Sequence, residues 1–336
     1  MKNNILPIFI PQYGCKQKCV FCDQKKITST FDLTSIETQI KSKIELCKNK
    51  NISEIAFFGG SFTGIKIDIQ KKLLESVIEF AELKNAYVRI STYPEFINAD
   101  IIKFLKSYRV KIIELGVQSL NEKVLEASGR FYNIDKVVES SNIIKSSGIK
   151  LGHQIMLGLP ESSLAIELET IKKIKEINPH FLRIYPVVII KNTKLEIMYN
   201  QKKYEPLRLS EIIDRCVSVM FSLENTDIKI IRIGLHSEPQ FVSNSILDTG
   251  SYHPALGELV KSEYICRKIK NILKKNCNIR NLNVKYPLKW SSLLFGQKNK
   301  YKKIYKEMEI DFFIDDSLSG KIEIYSDNER IDCVSF

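Results

Sequence analysis

The sequence predicts an α/β protein, with a partial (β/α)6 barrel of the TIM type followed by a small basic α+β C-terminal domain. Short apolar runs alternate with amphipathic stretches over the first 235 residues, which is typical of repeated β-α units. No G-x-G-x-x-G fingerprint follows any of these runs, which favours a barrel over a doubly wound sheet. Positive charge is concentrated after residue 260, which sets the last part of the chain apart.

The alternation defines the order of the elements. The strands are predicted at 5–10, 53–58, 86–91, 111–117, 149–157 and 180–188, with a further candidate at 228–233. The helices are predicted at 34–48, 68–83, 99–107, 121–127, 134–147, 164–177, 210–223 and 256–274. We therefore expect a barrel over 1–235, a connecting loop and helix over 236–274, and a basic domain over 275–336.

The composition is that of an ordinary soluble globular protein. The chain has 336 residues, of which 44% are hydrophobic and 27% charged. The first apolar run, 5–10, is too short for a signal peptide, and no run approaches the roughly 18 residues of a membrane span. We therefore expect a cytoplasmic protein with no membrane partner, whose thiols stay reduced.

Three cysteines follow the first strand in the spacing C-x3-C-x2-C: Cys15, Cys19 and Cys22. Three thiolates on one loop fall one short of the four that a closed zinc site or a simple electron-transfer cluster needs. A 4Fe–4S cluster held in this way keeps one iron open, which is the vacancy that S-adenosylmethionine chemistry uses. The alternative is a zinc loop completed by a distant Cys or His. It is disfavoured because the other cysteines provide no second half-site.

Polar residues and glycines recur where the predicted strands end. They are found at 59–63, 91–94, 114–119, 153–160 and 185–186. The carboxyl ends of parallel strands meet at one edge of a barrel, where barrel active sites lie. A single such segment would be read as a turn. Because the pattern recurs at every strand end, it predicts one polar rim.

With these motifs, residues 5–235 resemble radical S-adenosylmethionine (radical SAM) enzymes. The similarity is nearest to the radical domain of the Elongator catalytic subunit and to small Elongator-like bacterial proteins without an acetyltransferase domain. The resemblance implies that Cys15, Cys19 and Cys22 hold a 4Fe–4S cluster. It further implies that the glycine motif contacts the methionine amino group of S-adenosylmethionine. In this chain that motif is Gly59, Gly60, Ser61 and Phe62.

The resemblance assigns four more residues to the cofactor. Ser91 occupies the third-strand position where many relatives have Glu, and Gln118 and Gln154 would lie near the cofactor ribose. Arg130 would pair with the methionine carboxylate, a role that suits the guanidinium fork. In this chain Phe131 and Tyr132 follow it, where relatives have Gly and His.

The tract 183–193 narrows the resemblance towards Elongator, and it implies that Tyr185 and Lys191 face the substrate as catalytic residues. The family's chemistry implies reductive cleavage of S-adenosylmethionine, with an electron donor such as flavodoxin or ferredoxin. The implied substrate is tRNA, although no acetyltransferase domain follows. Two alternatives stay open: a radical enzyme acting on a small metabolite or porphyrin, and a catalytically idle RNA-binding protein with a structural metal.

The last part of the chain is basic. From Lys261 to Lys306 there are fourteen Lys and Arg residues against a single acid, Glu263. The predicted elements here follow the order of a KH module, whose Gly-led loop clamps a nucleic-acid backbone. They are a strand at 279–285, a helix at 288–295, the loop 296–299, a second helix at 300–308, and strands at 310–314 and 321–325. The predicted contacts to tRNA or another RNA are Gly296, Lys298, Lys300, Lys302 and Lys303. The alternative is an ordinary α+β cap with a Gly-ended helix.

Two histidines, His236 and His253, lie in the turn-rich segment before this domain. Either is a candidate metal ligand, but a lone loop histidine is more often a hydrogen-bonding surface residue. Tyr286 and Trp290 are aromatic residues that can stack on bases. We predict that both pack in the core instead, because that is more frequent for such residues.

Overall fold

The computed structural model describes residues 4–10, 15, 19–22, 33–235, 245–275, 282–326 and 329–336. Seven strands form one sheet whose order follows the chain, and every neighbouring pair is parallel. They are β1 Ile5–Ile10, β2 Glu54–Gly59, β3 Tyr87–Thr92, β4 Val110–Gln118, β5 Lys150–Leu157, β6 Phe181–Pro186 and β7 Lys229–Ile233. The predicted partial barrel is confirmed, and the further candidate at 228–233 is its seventh strand.

Helices connect the strands and cover one face of the sheet. They are α1 Leu33–Cys47, α2 Ile67–Leu83, α3 Ala99–Ser107, α4 Glu122–Ala127, α5 Ile134–Ser146, α6 Leu164–Ile177, α7 Lys194–Asn200 and α8 Leu209–Ser222. Side chains of β4 that alternate along the strand, Ile113, Leu115 and Val117, are fully buried in the main core. The intervening positions point to the other face, where Glu114 and Gly116 lie among polar partners.

Side-chain caps begin several of the helices. The carboxamide of Asn98 accepts from the Ile101 N–H at 2.9 Å, as its position before α3 predicts. The helix α2 begins at Ile67 after Lys66, which places Asp68 in its first turn. None of the helices in the described ranges is long and apolar enough to cross a bilayer.

A second sheet forms the C-terminal part. The helices α9 Leu256–Lys275, α10 Ser291–Phe295 and α11 Lys302–Glu307 accompany β8 Leu282–Tyr286, β9 Ile310–Ile314, β10 Lys321–Ser326 and β11 Glu329–Ser335. The sheet order is β11-β10-β8-β9, and only the β8–β9 pair is parallel. The final strand was not predicted, and residues 279–281 of the first predicted strand lie outside the described ranges.

The loop at 296–299 has a local structural reason for its glycine. Gly296 ends α10 with φ +72°, and a Cβ there would lie 2.7 Å from the Tyr301 ring. The loop then forms a 3₁₀ turn over Gln297–Asn299 before α11. Tyr286 is buried and packs edge-on against Phe295, as its assignment to the core predicts.

Candidate active site

The cysteine loop is fastened to the carboxyl edge of the sheet through Val20. Its N–H donates to the Ser128 carbonyl at 3.0 Å, and its own carbonyl accepts from the Leu195 N–H at 2.8 Å. The side chain is buried in a small apolar cluster with Val124 and Val187. One apolar residue between Cys19 and Cys22 therefore ties their loop to the end of α4, which follows β4, and to α7, which follows β6.

Arg130 is the charged residue at the centre of this edge. One of its amino groups donates to the Cys19 Sγ at 3.3 Å, and the other donates to the Gly116 carbonyl. The guanidinium lies 4.7 Å from the centroid of the Tyr93 ring and 5.4 Å from that of Tyr132. Only 6% of the residue is exposed. Its neighbours raise the pKa of Arg130 despite burial, so the group stays protonated.

Tyr132 packs beside Arg130 and has a structural role at this edge. Its hydroxyl donates to the Val117 carbonyl, and its ring meets Tyr93 edge-on at 5.2 Å. The aromatic pair encloses the guanidinium of Arg130, so a position that differs from the family pattern serves to hold the arginine in place. Phe131 is 64% exposed.

Cys15 lies beside the end of β2. The residue is exposed, and its thiol lies near Cys19, Arg130 and the backbone of Ser61. The Cys22 N–H donates to the Cys19 carbonyl at 3.1 Å. These contacts bring Cys15, Cys19, Arg130 and the glycine motif into one neighbourhood.

The donors in this neighbourhood fit an iron–sulfur centre chemically. Thiolate sulfur is the ligand that such clusters use, and three thiols leave one iron for a further ligand. No three His, Cys, Asp or Glu side chains converge on a single point within the described ranges, and loop residues 11–14 and 16–18 lie outside them. Two buried polar atoms at this edge, the Tyr93 hydroxyl and the Arg130 Nε, have no hydrogen-bond partner in the described part of the chain. They would suit a polar cofactor beside the cysteines.

The end of β2 is held by hydroxyl groups. The Ser61 hydroxyl lies 3.3 Å from that of Thr92 and accepts from the Tyr93 N–H at 2.8 Å. The Phe62 side chain is buried against Phe57, with 5.1 Å between the ring centroids. The side chains of this motif therefore hold β2 and β3 together, and its backbone is what faces outward. Gly59 is exposed and Gly60 partly so.

Gln118 ends β4 in a strained conformation. Its φ is +64°, unusual for a residue with a side chain, and the register between β4 and β5 shifts between Gly116 and Gln118. The Gln154 carboxamide donates to that of Gln118 at 3.4 Å. Strain held by surrounding structure is frequent at functional sites. The two glutamines thus lie together, as the shared ribose role predicts.

Below this edge, a buried network of charges crosses the face of the sheet opposite the helices. Arg89 pairs with Glu54 at 2.5 Å and with Glu114 at 2.6 Å, and Arg183 pairs with the same Glu114 oxygen at 2.7 Å. Gly152 lies between β4 and β6, where a Cβ would approach the Glu114 side chain to 3.0 Å. The missing side chain lets Glu114 and Arg183 meet across β5.

Sequence reasoning missed this network, although a signal for it exists. Arg89 and Ser91 alternate with apolar residues along β3, and Arg183 does so along β6. Charged residues at every second position of a strand that should be buried on both faces indicate a polar interior. Of the predicted residues, Ser91 joins the network by donating to Glu114 at 3.4 Å, and Tyr185 joins through an N–H donated by Arg183 at 3.1 Å.

The other predicted residues lie around this edge. Lys191 is on the loop after β6, where its backbone N–H donates to the Ser245 carbonyl at 2.7 Å. Gly158 follows β5; its N–H donates to the Glu167 carboxylate at 2.7 Å, and its carbonyl accepts from the Tyr204 hydroxyl.

His153 is buried with Ser141, and burial lowers its pKa to about 3, which gives it a structural role. His236 lies outside the described residues, and His253 accepts from the Ala255 N–H.

The four predicted lysines of the C-terminal part are all exposed. Lys300 pairs with Glu263 at 3.4 Å, and Lys303 with Glu307 at 3.9 Å. Lys298 and Lys302 form no ion pair within the described part of the chain. These two lysines are therefore available to an outside anion.

Comparison with known protein families adds two matches. A model of the radical SAM superfamily matches residues 9–183, more than half of the chain, and a model of the radical SAM C-terminal domain matches residues 179–280. The first match begins just before the cysteine loop and ends in β6, so it includes the polar edge.

Three individual proteins are also similar. The tRNA uridine(34) acetyltransferase of Methanocaldococcus jannaschii is 26% identical over 248 residues, 66% of this chain and 44% of that protein. The heme chaperone HemW of Haemophilus influenzae is 24% identical over 202 residues, 56% of this chain and 52% of its own. The chain thus spans about half the length of these relatives. The solved structure of archaeal Elp3 from Methanocaldococcus infernus, lacking its N-terminus, shares the fold with a TM-score of 0.60 at 21% identity, over 82% of this chain and 63% of that one.

Proposed function

The chain belongs to the radical SAM superfamily of enzymes, and we propose that it modifies tRNA. Members of this family use a 4Fe–4S cluster and S-adenosylmethionine. When bound, these cofactors supply a 5′-deoxyadenosyl radical that abstracts hydrogen from a substrate. The protein's own residues hold the cofactors, position the substrate and exclude water.

Cys15, Cys19 and Cys22 would hold the cluster. The backbone bonds of Val20 fix their loop against the end of α4 and against α7, so the thiols keep their place relative to the rest of the edge. The permanent positive charge of Arg130 beside the Cys19 sulfur would offset the negative charge of bound thiolates. Its Nε is the buried donor that remains for the carboxylate of S-adenosylmethionine.

The exposed backbone of Gly59 and Gly60 would receive the methionine amino group, because no side chain blocks the approach. Gln118 and Gln154 would hold the ribose, since each presents both a donor and an acceptor. Ser61 and Phe62 would act indirectly, because their side chains fix the turn that contains the two glycines.

Tyr185 and Arg183 would meet the substrate inside the barrel. Glu114 orients Arg183 through Nε, and Arg183 in turn donates to the Tyr185 hydroxyl. The other amino group, Nη2, has no partner in the described residues and would donate to a carbonyl or anionic oxygen of the substrate. Lys191 lies on the loop after β6 and would contact the substrate from there.

We choose tRNA because positive charge is concentrated between Lys261 and Lys306. In this region Lys298 and Lys302 are exposed and form no ion pair among the described residues. Basic clusters of this kind bind nucleic-acid backbones. The similarity to a tRNA uridine(34) acetyltransferase supports the same substrate class. An electron donor such as flavodoxin or ferredoxin would reduce the cluster.

The test is mass spectrometry of tRNA nucleosides from a strain that lacks the gene. We expect one modified nucleoside to disappear, to return with the wild-type gene, and to stay absent with a gene encoding Cys19→Ala. An unchanged nucleoside profile would contradict the tRNA proposal and favour a small metabolite or porphyrin as substrate, for which the similarity to a heme chaperone is the supporting observation.

A further inference from the structure

A cavity with several charged residues in its lining lies at the opposite edge of the main sheet. It has a volume of about 380 Å³ and opens at the amino-terminal ends of β5, β6 and β7. Its lining includes Lys145, Lys150, His180, Asp227 and Lys229. In a parallel sheet the amino ends of the strands meet at one edge, so this cavity is separated from the cysteines by the length of the strands.

The cavity is lined by an excess of positive charge. Three lysines face a single carboxylate, Asp227, and none of the four takes part in an ion pair within the described ranges. Lys145 is held in place by donating to the Ile177 carbonyl at 2.6 Å. Lys150 and Lys229 are exposed at the first positions of their strands.

His180 gives the cavity a fixed hydrogen-bond donor. Its Nδ1 accepts the Leu151 N–H at 3.2 Å, so the neutral ring carries its proton on Nε2. Its backbone bonds to Leu151 of β5 at 2.9 Å and to Lys229 of β7 at 3.1 Å, which fixes the ring between two strands. His180 is an exposed residue. Partial desolvation, followed by the charges of Lys150 and Lys145, lowers its pKa. Asp227 and Lys229 are the other charged groups that line the cavity.

We propose that this cavity binds a phosphate group. Its ammonium groups and imidazole N–H are the donors that phosphate oxygens accept, and its volume suits a ligand of mononucleotide size. The phosphate would come either from a free nucleotide or from an RNA backbone. A phosphate oxygen would accept the Nε2–H of the neutral His180 ring, because Nδ1 already accepts from the Leu151 N–H.

The experiment follows the four histidines of the full chain by NMR after ¹³C labelling, with His180→Gln to assign the resonance. Inorganic phosphate, AMP and tRNA are each added at constant ionic strength, with chloride as the reference. We expect phosphate and AMP to shift the ring resonance of His180 in a saturable way, whereas chloride should leave it in place. The buried His153 provides an internal reference that should not respond.

Paired variants distinguish a built site from general attraction. Lys150→Gln with Lys229→Gln should weaken phosphate binding at least tenfold. Lys103→Gln with Lys106→Gln removes the same charge from the cavity between α3 and α5 and should have no effect. Both pairs should keep basal cleavage of S-adenosylmethionine, because they lie away from the cysteine edge.

A response to phosphate and AMP supports a free ligand, and a response to tRNA alone supports an RNA backbone as the source. The proposal is overturned if none of the three ligands moves the His180 resonance beyond the chloride reference, or if the control pair weakens binding equally. Because the site is separate from the cysteine edge, its failure would leave the proposed enzymatic function intact.

Discussion

The barrel and the C-terminal part of the chain differ in whether their charged residues are buried and paired. In the barrel, Glu54, Arg89 and Glu114 are at most 5% exposed and each has a charged partner. In the C-terminal part, Lys298, Lys302 and Lys303 are exposed, and only the last forms a described ion pair. Buried charges require partners because their desolvation is costly, whereas exposed lysines keep their hydration and contribute little to stability.

This difference separates two kinds of consequence. Substitutions in the barrel interior should change the free energy of unfolding and the geometry of the active site together. Substitutions of the exposed lysines should change binding of a polyanion and leave folding unaffected. The following predictions test that separation, beginning with the largest expected effect.

Glu114→Gln should lower the free energy of unfolding by about 3 kcal/mol, because it leaves Arg183 and part of Arg89 buried without a counter-charge. Urea denaturation of the apoprotein measures the loss. The matched control is Glu307→Gln, which removes the exposed partner of Lys303 and should cost no more than about 0.5 kcal/mol. Equal losses in the two variants would refute the contrast between the two regions.

Arg130→Ala should weaken S-adenosylmethionine binding by roughly 2–3 kcal/mol, the scale of a charge-assisted hydrogen bond, while the iron content stays the same. Equilibrium binding to the reconstituted protein provides the measurement. Arg130→Lys keeps the charge without the planar fork and should recover only part of the loss. An unchanged affinity in Arg130→Ala would mean that another residue holds the carboxylate.

The barrel should lose stability in acid because of His153. Its folded pKa of about 3 lies below the ordinary value of 6.5, so the unfolded state binds more protons between these two pH values. Stability therefore falls as the pH drops through this window, by up to about 1.4 kcal/mol for each pH unit from this residue alone. His153→Gln should reduce the slope measured by urea denaturation between pH 6 and pH 4. A slope identical to that of the wild type would show that His153 does not titrate on unfolding.

Lys298→Glu combined with Lys302→Glu should reduce tRNA affinity and flatten its dependence on salt by about one unit for each phosphate contact that is lost. The free energy of unfolding should not change measurably. Lys300→Glu with Lys303→Glu is the matched pair, and its effect should be smaller because these side chains already face Glu263 and Glu307. Salt-insensitive binding would argue against a role for this surface.

The fold could be predicted from the sequence because its repeating units are regular. The strand ends fall within a residue or two of the predicted positions, since apolar runs and turn residues mark them locally. The last strand, β11, was missed because its alternation contains Arg330, Asp332 and an exposed Cys333, which mask the apolar positions.

Only the local sequence motifs of the candidate active site could be predicted from the sequence. Its cysteines, glycines and glutamines are close in sequence to recognisable strand ends. The pairing of Glu114 with Arg183 depends on Gly152, in a strand between them, and such a contact across three strands leaves no local pattern. Likewise, nothing in the composition distinguishes Lys300, which pairs with Glu263, from Lys298, which has no ion pair among the described residues.

The most direct test of the central claim is cleavage of S-adenosylmethionine by the anaerobically reconstituted full chain. The wild-type protein should bind about four irons per chain and release 5′-deoxyadenosine when it is reduced. Cys47→Ala and Cys333→Ala should behave in the same way, whereas Cys15→Ala, Cys19→Ala and Cys22→Ala should each abolish cleavage. Full cleavage by Cys19→Ala would contradict the assignment of the three cysteines as the cluster ligands.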